Sequence, residues 1–280
     1  MPGSRFIAGR QQLKHGVLAY HRSEASANRR PALLMLHGLG DSGMCWFRTA
    51  ESLADQFDLI LLDSPGHGGS SMPGPQRDPA ALIDLDELLD GLGLDRVVLL
   101  GHSVGALLAG TMAAACPDRV ERLVLEDPPL RNHPFEATPE MVAAFHEQIS
   151  AIASLSLAEA MAFGQRQHPR WPTEEFEEWA RAKQQVNPDI LGCYRFPRWG
   201  GWVPRVQALS LLIYGESGSD SVVSDKRVNE VVSANPNFRA VSIPGAGHNV
   251  RRENFTEYRR VLSAFLDQPM EQHHERAAKR

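Results

Sequence analysis

The chain has 280 residues, a formal net charge of −5 and three cysteines, a length that suits one domain, or one domain carrying a large insertion, with ample material for a core. The mild negative charge gives no support for nucleic acid or an anionic membrane as a partner, no apolar run reaches the length of a membrane span, and Met1 to Arg10 lack the apolar stretch of a signal peptide. Cys45, Cys116 and Cys193 are odd in number and widely spaced; they read as reduced thiols of a cytoplasmic protein, not as a disulfide frame or a zinc site.

In chain order, Gly16 to His21 reads as an early antiparallel strand, Ala32 to Leu36 as a buried strand, Cys45 to Asp55 as a helix and Leu59 to Leu62 as the next strand. Pro79 to Leu92 predicts an acidic amphipathic helix with Leu82, Leu85, Leu88 and Leu89 along one side. The apolar run Val97 to Leu100 is a strand. It leads into Gly101-His102-Ser103-Val104-Gly105 and then an Ala-rich helical stretch, Ala106 to Ala115. Arg122 to Leu125 is another strand, after which the alternation of strand and helix breaks. Between Asp127 and about Val206 lie Pro128-Pro129, helical patterns at Pro139 to Ile152, Leu157 to Gln165 and Thr173 to Lys183, and four tryptophans: Trp171, Trp179, Trp199 and Trp202. Alternation resumes with a strand at Leu209 to Tyr214, a helix at Ser224 to Ser233, a strand at Ala240 to Ile243 and a final helix at Glu253 to Leu266. This order predicts a mostly parallel sheet covered on both faces. The interrupted region predicts a helical insertion over the C-terminal edge of the sheet, where open α/β sheets bind ligands.

Strand, G-x-S-x-G, helix is the nucleophile elbow. The turn is too tight for side chains at its flanks, so glycine stands there, and the serine is held at a helix N-terminus that favours developing negative charge. Ser103 is therefore the candidate nucleophile. A serine hydroxyl needs a base to take its proton; His248, late in the chain on the Gly-rich loop Pro244-Gly245-Ala246-Gly247-His248, is the candidate base.

With these elements placed, nearly all of Leu33 to Leu266 resembles the α/β-hydrolase superfamily, in its capped esterase and lactonase-like branch. Leu36-His37-Gly38-Leu39-Gly40 resembles the family's HG oxyanion loop, Asp63-Ser64-Pro65-Gly66-His67-Gly68-Gly69-Ser70 its D-x-x-G-x-G-x-S turn, and the loop at His248 its catalytic-histidine loop. The resemblance implies an eight-stranded, mostly parallel sheet flanked by helices, with a helical cap inserted after the sixth strand. The core would comprise residues 1–127 and 206–268, the cap 128–205, and a polar tail 269–280. It also implies backbone oxyanion donors at Val104, the residue after the nucleophile, and at Leu39.

The triad acid departs from the commonest pattern. After Leu211 to Ser217 the G-x-x-D turn has Gly218 in place of aspartate, but Asp220-Ser221-Val222-Val223-Ser224 resembles the usual continuation, and a two-residue insertion would restore Asp220 to the acid position. Asp127 and then Glu126, at the end of the sixth strand, are the alternatives. His37, His102, Asp63 and His67 read as groups that order their loops. No histidine and carboxylate cluster has metal-site spacing, and neither G-x-G-x-x-G after the first parallel strand nor a Walker motif is present, so neither metal nor cofactor is expected.

Gly38, Trp46, Trp171 and Trp199 are candidate substrate contacts, with Met44, Leu107, Phe135, Met141, Phe145 and Trp202 as further apolar ones; Arg131, Arg195 and Arg198 offer sites for a carboxylate. An aromatic-roofed apolar pocket suits a small-to-medium hydrophobic ester or lactone. The expected protein is a serine hydrolase working through an acyl-enzyme, as a monomer or homodimer. The same triad also serves carbon–carbon bond hydrolysis and perhydrolysis. The irregular acid loop leaves open a ligand-binding sensor with a slow or vestigial triad.

Overall fold

The computed structural model describes residues 6–24, 30–73 and 83–268. Eight strands form one sheet: β1 (Phe6–Leu13), β2 (Gly16–Ser23), β3 (Ala32–Leu36), β4 (Asp58–Leu62), β5 (Val97–His102), β6 (Val120–Glu126), β9 (Leu209–Gly215) and β10 (Phe238–Ile243), in the spatial order β1-β2-β4-β3-β5-β6-β9-β10. β2 runs antiparallel to both neighbours and the rest pair in parallel. A two-stranded ribbon, β7 (Phe135–Glu136) with β8 (Arg195–Phe196), stands apart. The sheet is the mostly parallel α/β-hydrolase arrangement expected.

The central strands are apolar at every position because both faces are covered. Side chains alternate between the faces. Leu34, Leu36, Ile60, Leu62 and Leu99 pack with α2 (Leu85–Leu92) and α3 (Val104–Ala115). Leu33, Met35, Leu59, Leu61 and Leu100 pack on the other face with α1 (Phe47–Leu53) and α9 (Phe255–Leu266). α3 is buried from Gly105 to Ala114, which explains its Ala- and Gly-rich sequence. Between β6 and β9 lie α4 (Pro139–Ala153), α5 (Leu157–Gln167) and α6 (Glu175–Gln185), with a small core of their own around Ile152, Trp171, Phe176 and Trp179. α7 (Asp225–Ala234) and the short α8 (Val250–Glu253) complete the described elements.

Three differences from the sequence reading have simple causes. β1 escapes the pattern because only Leu13 of its eight residues is buried; it is an edge strand held by full register with β2. The first expected helix opens as a 3-10 turn, Gly43–Trp46, before α1. The last expected helix, Glu253 to Leu266, starts at Phe255, because Asn254 leaves helical geometry and its side chain accepts the Glu257 N–H to cap α9, while Glu253 ends the separate α8. Leu82, the start of the helix expected from Pro79, and the tail at 269–280 lie outside the described residues. Among the described residues no helix is long and apolar enough to cross a membrane.

Candidate active site

β5 ends at His102 and α3 begins at Val104, so Ser103 alone makes the turn, at φ 53° and ψ −119°. A Cβ on Gly101 would stand 2.3 Å from the Gly105 carbonyl oxygen, and one on Gly105 2.2 Å from that of Leu36. Both obstacles are backbone, so the two glycines are required by the packing of α3 onto the sheet. The Ser103 N–H donates to the Glu126 carbonyl at 2.8 Å, which ties the elbow to β6.

His248 Nε2 lies 3.0 Å from Ser103 Oγ, and His248 Nδ1 lies 2.6 Å from Asp127 Oδ2. The carboxylate that reaches the histidine is thus Asp127, the sequence alternative, and the first choice, Asp220, is corrected. Asp220 lies against Gly247 with its side chain 67% exposed, its nearest cation being Arg170 at 3.9 Å. Asp127, in contrast, is fully buried. Its φ of 42° is a left-handed conformation unusual for a non-glycine residue, and its N–H continues the parallel ladder to the Ile213 carbonyl at 2.8 Å. The irregular loop after β9 supplies the acid's partners in place of the acid itself. Ser221 Oγ donates to Asp127 Oδ1 at 2.5 Å, and the Val222 N–H donates to Oδ2 at 2.9 Å. Glu126, the third candidate, turns away: it accepts the Arg251 N–H at 2.9 Å and pairs with the Arg251 guanidinium at 3.3 Å.

The HG loop is held by neutral histidines. The Ser64 N–H donates to His37 Nε2 at 3.0 Å and the Gly40 N–H to His67 Nε2 at 3.0 Å, while the Nδ1–H groups donate to the Gly38 and Pro65 carbonyls. His102 Nε2–H donates to the His248 carbonyl at 3.0 Å and so steadies the loop that carries His248. Asp63 receives the Gly43 and Gly69 N–H groups and orders its turn. Gly38 presses against the site, since a Cβ there would come 2.8 Å from His102 Nδ1 and 3.4 Å from Ser103 Cβ. Among the described residues, neither the Leu39 nor the Val104 N–H donates to a protein acceptor. Both amides are therefore available to an incoming oxygen.

Burial lowers the pKa of all three ring systems: His37 and His102 shift down, and His67 to about 3. An unfolded chain protonates these rings below pH 6.5 while the folded one keeps them neutral, so stability falls as pH drops from 6.5 towards the depressed folded values. Each ring contributes about 1.4 kcal/mol per pH unit. Glu126, pushed up by burial, works in the opposite sense. We expect the melting temperature to decline from pH 6.5 to 4.5, and His67→Gln to flatten that decline. An equal slope in the variant would show that His67 does not carry the effect.

Behind Ser103, His248 and Asp127 lies a buried ionic network. Arg251 and Arg252 are each 2% exposed. Asp41 Oδ2 is 3.3 Å from Arg251 and 3.1 Å from Arg252; Arg252 also pairs with Glu175 of α6 at 3.2 Å, and Lys183 of α6 sits 3.6 Å from Asp41. Lys183 Nζ further donates to the Gly40 carbonyl at 2.7 Å. Burial alone would raise the Asp41 pKa, but Arg252, Lys183 and Arg251 outweigh it and hold the carboxyl below the usual carboxylate range. The sequence carried one signal of this network, the unbroken Arg251-Arg252 pair just after the histidine loop; their acidic partners are remote in the chain.

A cavity of about 190 Å³ opens beside Leu39 and Val104 and is walled by Leu107, Phe135, Met141 and Tyr194 among others. Three of the expected apolar contacts, Leu107, Phe135 and Met141, and one of the three arginines, Arg131, line it; so do Tyr194, just before β8, and Phe196 within it, neither of which the sequence singled out. The tryptophans do not line it, which corrects that expectation. Trp46 is fully buried on the α1/α9 side of the sheet beneath Arg251, 4.1 Å from its ring centroid. Trp171 stacks on His168 and Phe176 inside the α4–α6 core, and Trp199 donates to Asn132 Oδ1. Trp202 packs on Gly110. Met44 and Phe145 pack against the sheet cores. Among the described residues no group of three or more histidine, cysteine, aspartate or glutamate side chains is placed to hold a metal ion.

Sheet order and elbow together are those of the α/β-hydrolase fold, and a family model described as the alpha/beta hydrolase fold matches residues 31–151. The chain therefore has the α/β-hydrolase fold, and the family model covers its first half up to α4. It is 27% identical over 277 residues to N-formylmaleamate deformylase of Pseudomonas putida, which spans 95% of this chain and 99% of the relative. A shorter likeness, 34% identity over 136 residues, links it to the human (lyso)-N-acylphosphatidylethanolamine lipase and covers 46% of this chain and 39% of the relative. Among solved structures, E-2-(acetamidomethylene)succinate hydrolase superposes with a TM-score of 0.76 at 22% identity, over 94% of this chain and 99% of that one. A carboxylesterase from Bacillus subtilis superposes with a TM-score of 0.72 at 18% identity, over 94% and 92%.

Proposed function

We propose that this protein is a serine hydrolase that cleaves small-to-medium acyl compounds, carboxylic esters or lactones, through an acyl-enzyme. The observation that carries this reading is the Ser103–His248–Asp127 chain of contacts, at 3.0 and 2.6 Å, beside an apolar cavity of about 190 Å³. In this mechanism Asp127 holds His248 in the tautomer with hydrogen on Nδ1, leaving the Nε2 lone pair for the Ser103 hydroxyl. Ser103 Oγ attacks the carbonyl carbon as His248 takes its proton. The Leu39 and Val104 amides receive the negative oxygen, and His248 returns the proton to the leaving group. Water, deprotonated by His248, then releases the acid. Residues 128–205 act as the cap that shapes the cavity. A second reading, hydrolysis of an amide C–N bond by the same steps, is favoured by the nearly full-length likeness to N-formylmaleamate deformylase. The irregular loop after β9, which motivated the sensor reading, supplies Ser221 and Val222 as donors to Asp127, which supports the hydrolase reading.

Intact-mass labelling with a small fluorophosphonate tests the proposal. A single adduct is expected on the native protein and none on Ser103→Ala; a folded native protein that takes no adduct overturns it. Turnover across an aryl-ester, lactone and N-acyl-amide panel then separates the two readings.

A further inference from the structure

The cavity wall is apolar with one charged exception, the guanidinium of Arg131. Its backbone is well anchored: Pro128 and Pro129 restrict the chain leaving Asp127, the Leu130 N–H closes on the Pro128 carbonyl at 2.8 Å, and the Trp199 N–H donates to the Arg131 carbonyl at 3.1 Å. The side chain lies over the Phe135 ring, 5.1 Å from its centroid. Yet it forms no ion pair among the described residues, and no aspartate or glutamate is among the residues lining the cavity. The other arginines of this region are otherwise engaged or elsewhere. Arg195 pairs with Glu136 at 2.7 Å, Arg227 pairs with Glu230 and stacks on Trp199, and Arg198 is exposed and off the cavity wall. Tyr194 adds a second donor on the wall. It is 1% exposed, burial pushes its phenol up so that it stays O–H, and its hydroxyl enters none of the side-chain hydrogen bonds of the described residues.

We propose that Arg131, with the Tyr194 hydroxyl, forms a carboxylate subsite, so that the preferred substrate is an acyl compound carrying a free carboxylate at the end remote from the scissile carbonyl. An apolar wall with one unpaired cation and one unpaired hydroxyl binds an anionic oxygen group better than any neutral isostere, because a charge-assisted hydrogen bond replaces the lost hydration. The planar guanidinium suits a carboxylate in bidentate fashion. Arg131 is exposed, and solvent screening limits the gain to about 10-fold.

The inference rests on the hydrolase reading, and two measurements keep the two separable. The first compares kcat/KM for mono-4-nitrophenyl glutarate with that for 4-nitrophenyl pentanoate, an ester of the same length without the carboxylate. The native protein should prefer the glutarate about 10-fold, Arg131→Met should lose the preference, Arg131→Lys should keep part of it, and Arg198→Met should retain it. Raising the ionic strength should erode the native preference without any substitution, which guards against a variant that misfolds. No native preference, or one that survives Arg131→Met, overturns the subsite. The second is calorimetric binding of glutarate and of pentanamide to Ser103→Ala protein, which needs no turnover. Glutarate binding that disappears in Ser103→Ala/Arg131→Met supports the subsite even if neither ester is hydrolysed. Failure of glutarate to bind overturns it, whatever the labelling of Ser103 shows.

Discussion

Replacing Asp127 by Asn should lower kcat by about 10⁴-fold while the protein remains folded, whereas Asp220→Asn should leave turnover within about 3-fold of native. Asp127 Oδ2 lies 2.6 Å from His248 Nδ1, and an amide there cannot both accept the Nδ1–H and stabilise the imidazolium that forms when Ser103 attacks. Asn keeps the volume of Asp and can still receive the Val222 N–H through its oxygen, so a collapse in rate without a fall in melting temperature separates a catalytic from a structural loss. Asp220 has no comparable contact; its side chain is 67% exposed and 3.9 Å from Arg170. A severe loss on Asp220→Asn together with a mild one on Asp127→Asn would sink the assignment.

The second large effect concerns stability. Arg251→Met should cost about 3–5 kcal/mol, since it leaves Glu126 and Asp41 buried with one cation fewer. For a chain of this size that corresponds to a melting temperature lower by about 10 °C. Glu126 is wholly buried and meets the Arg251 side chain at 3.3 Å, and the same guanidinium covers the Trp46 ring at 4.1 Å. Combining Arg251→Met with Glu126→Gln should recover part of the loss, because the orphaned carboxylate is then neutral. The coupling between the two substitutions is the measurement that matters. A single-variant melting temperature within about 2 °C of native would show that the network contributes little. The network joins the HG loop at Asp41, the helix after the histidine loop, and α6 through Glu175 and Lys183. A loosened network should therefore also slow turnover by shifting Gly40 and the adjacent Leu39 amide.

Ser103 and His248 were legible as candidates in the sequence because local sterics dictate their surroundings. The elbow accepts only glycine beside backbone 2.2–2.3 Å away, so Gly101, Gly105 and the serine between them are written contiguously. The apolar strands were equally legible, since burial on both faces demands it, while β1 was hidden because an edge strand need bury little. The acid was not legible. β6 and β9 pair side by side, with Glu126 opposite Ile213, so either strand end can offer a carboxylate to the same histidine. What decided between them was the left-handed turn at Asp127 and the Ser221 and Val222 donors brought to it from the loop after β9, contacts spanning more than ninety residues of chain. The cavity wall shows the same division. Aromatic content alone cannot say whether a ring packs inward or faces a ligand, and the structure sent the tryptophans into cores while leaving Tyr194 and Phe196 on the wall. The chain by itself determined the central parallel strands and the serine and histidine candidates, because two-sided burial and the sterics of the elbow are written in local sequence. Only tertiary packing decided the acid, the buried ion pairs and the place of Arg131, because each depends on groups that meet across the sheet's C-terminal edge.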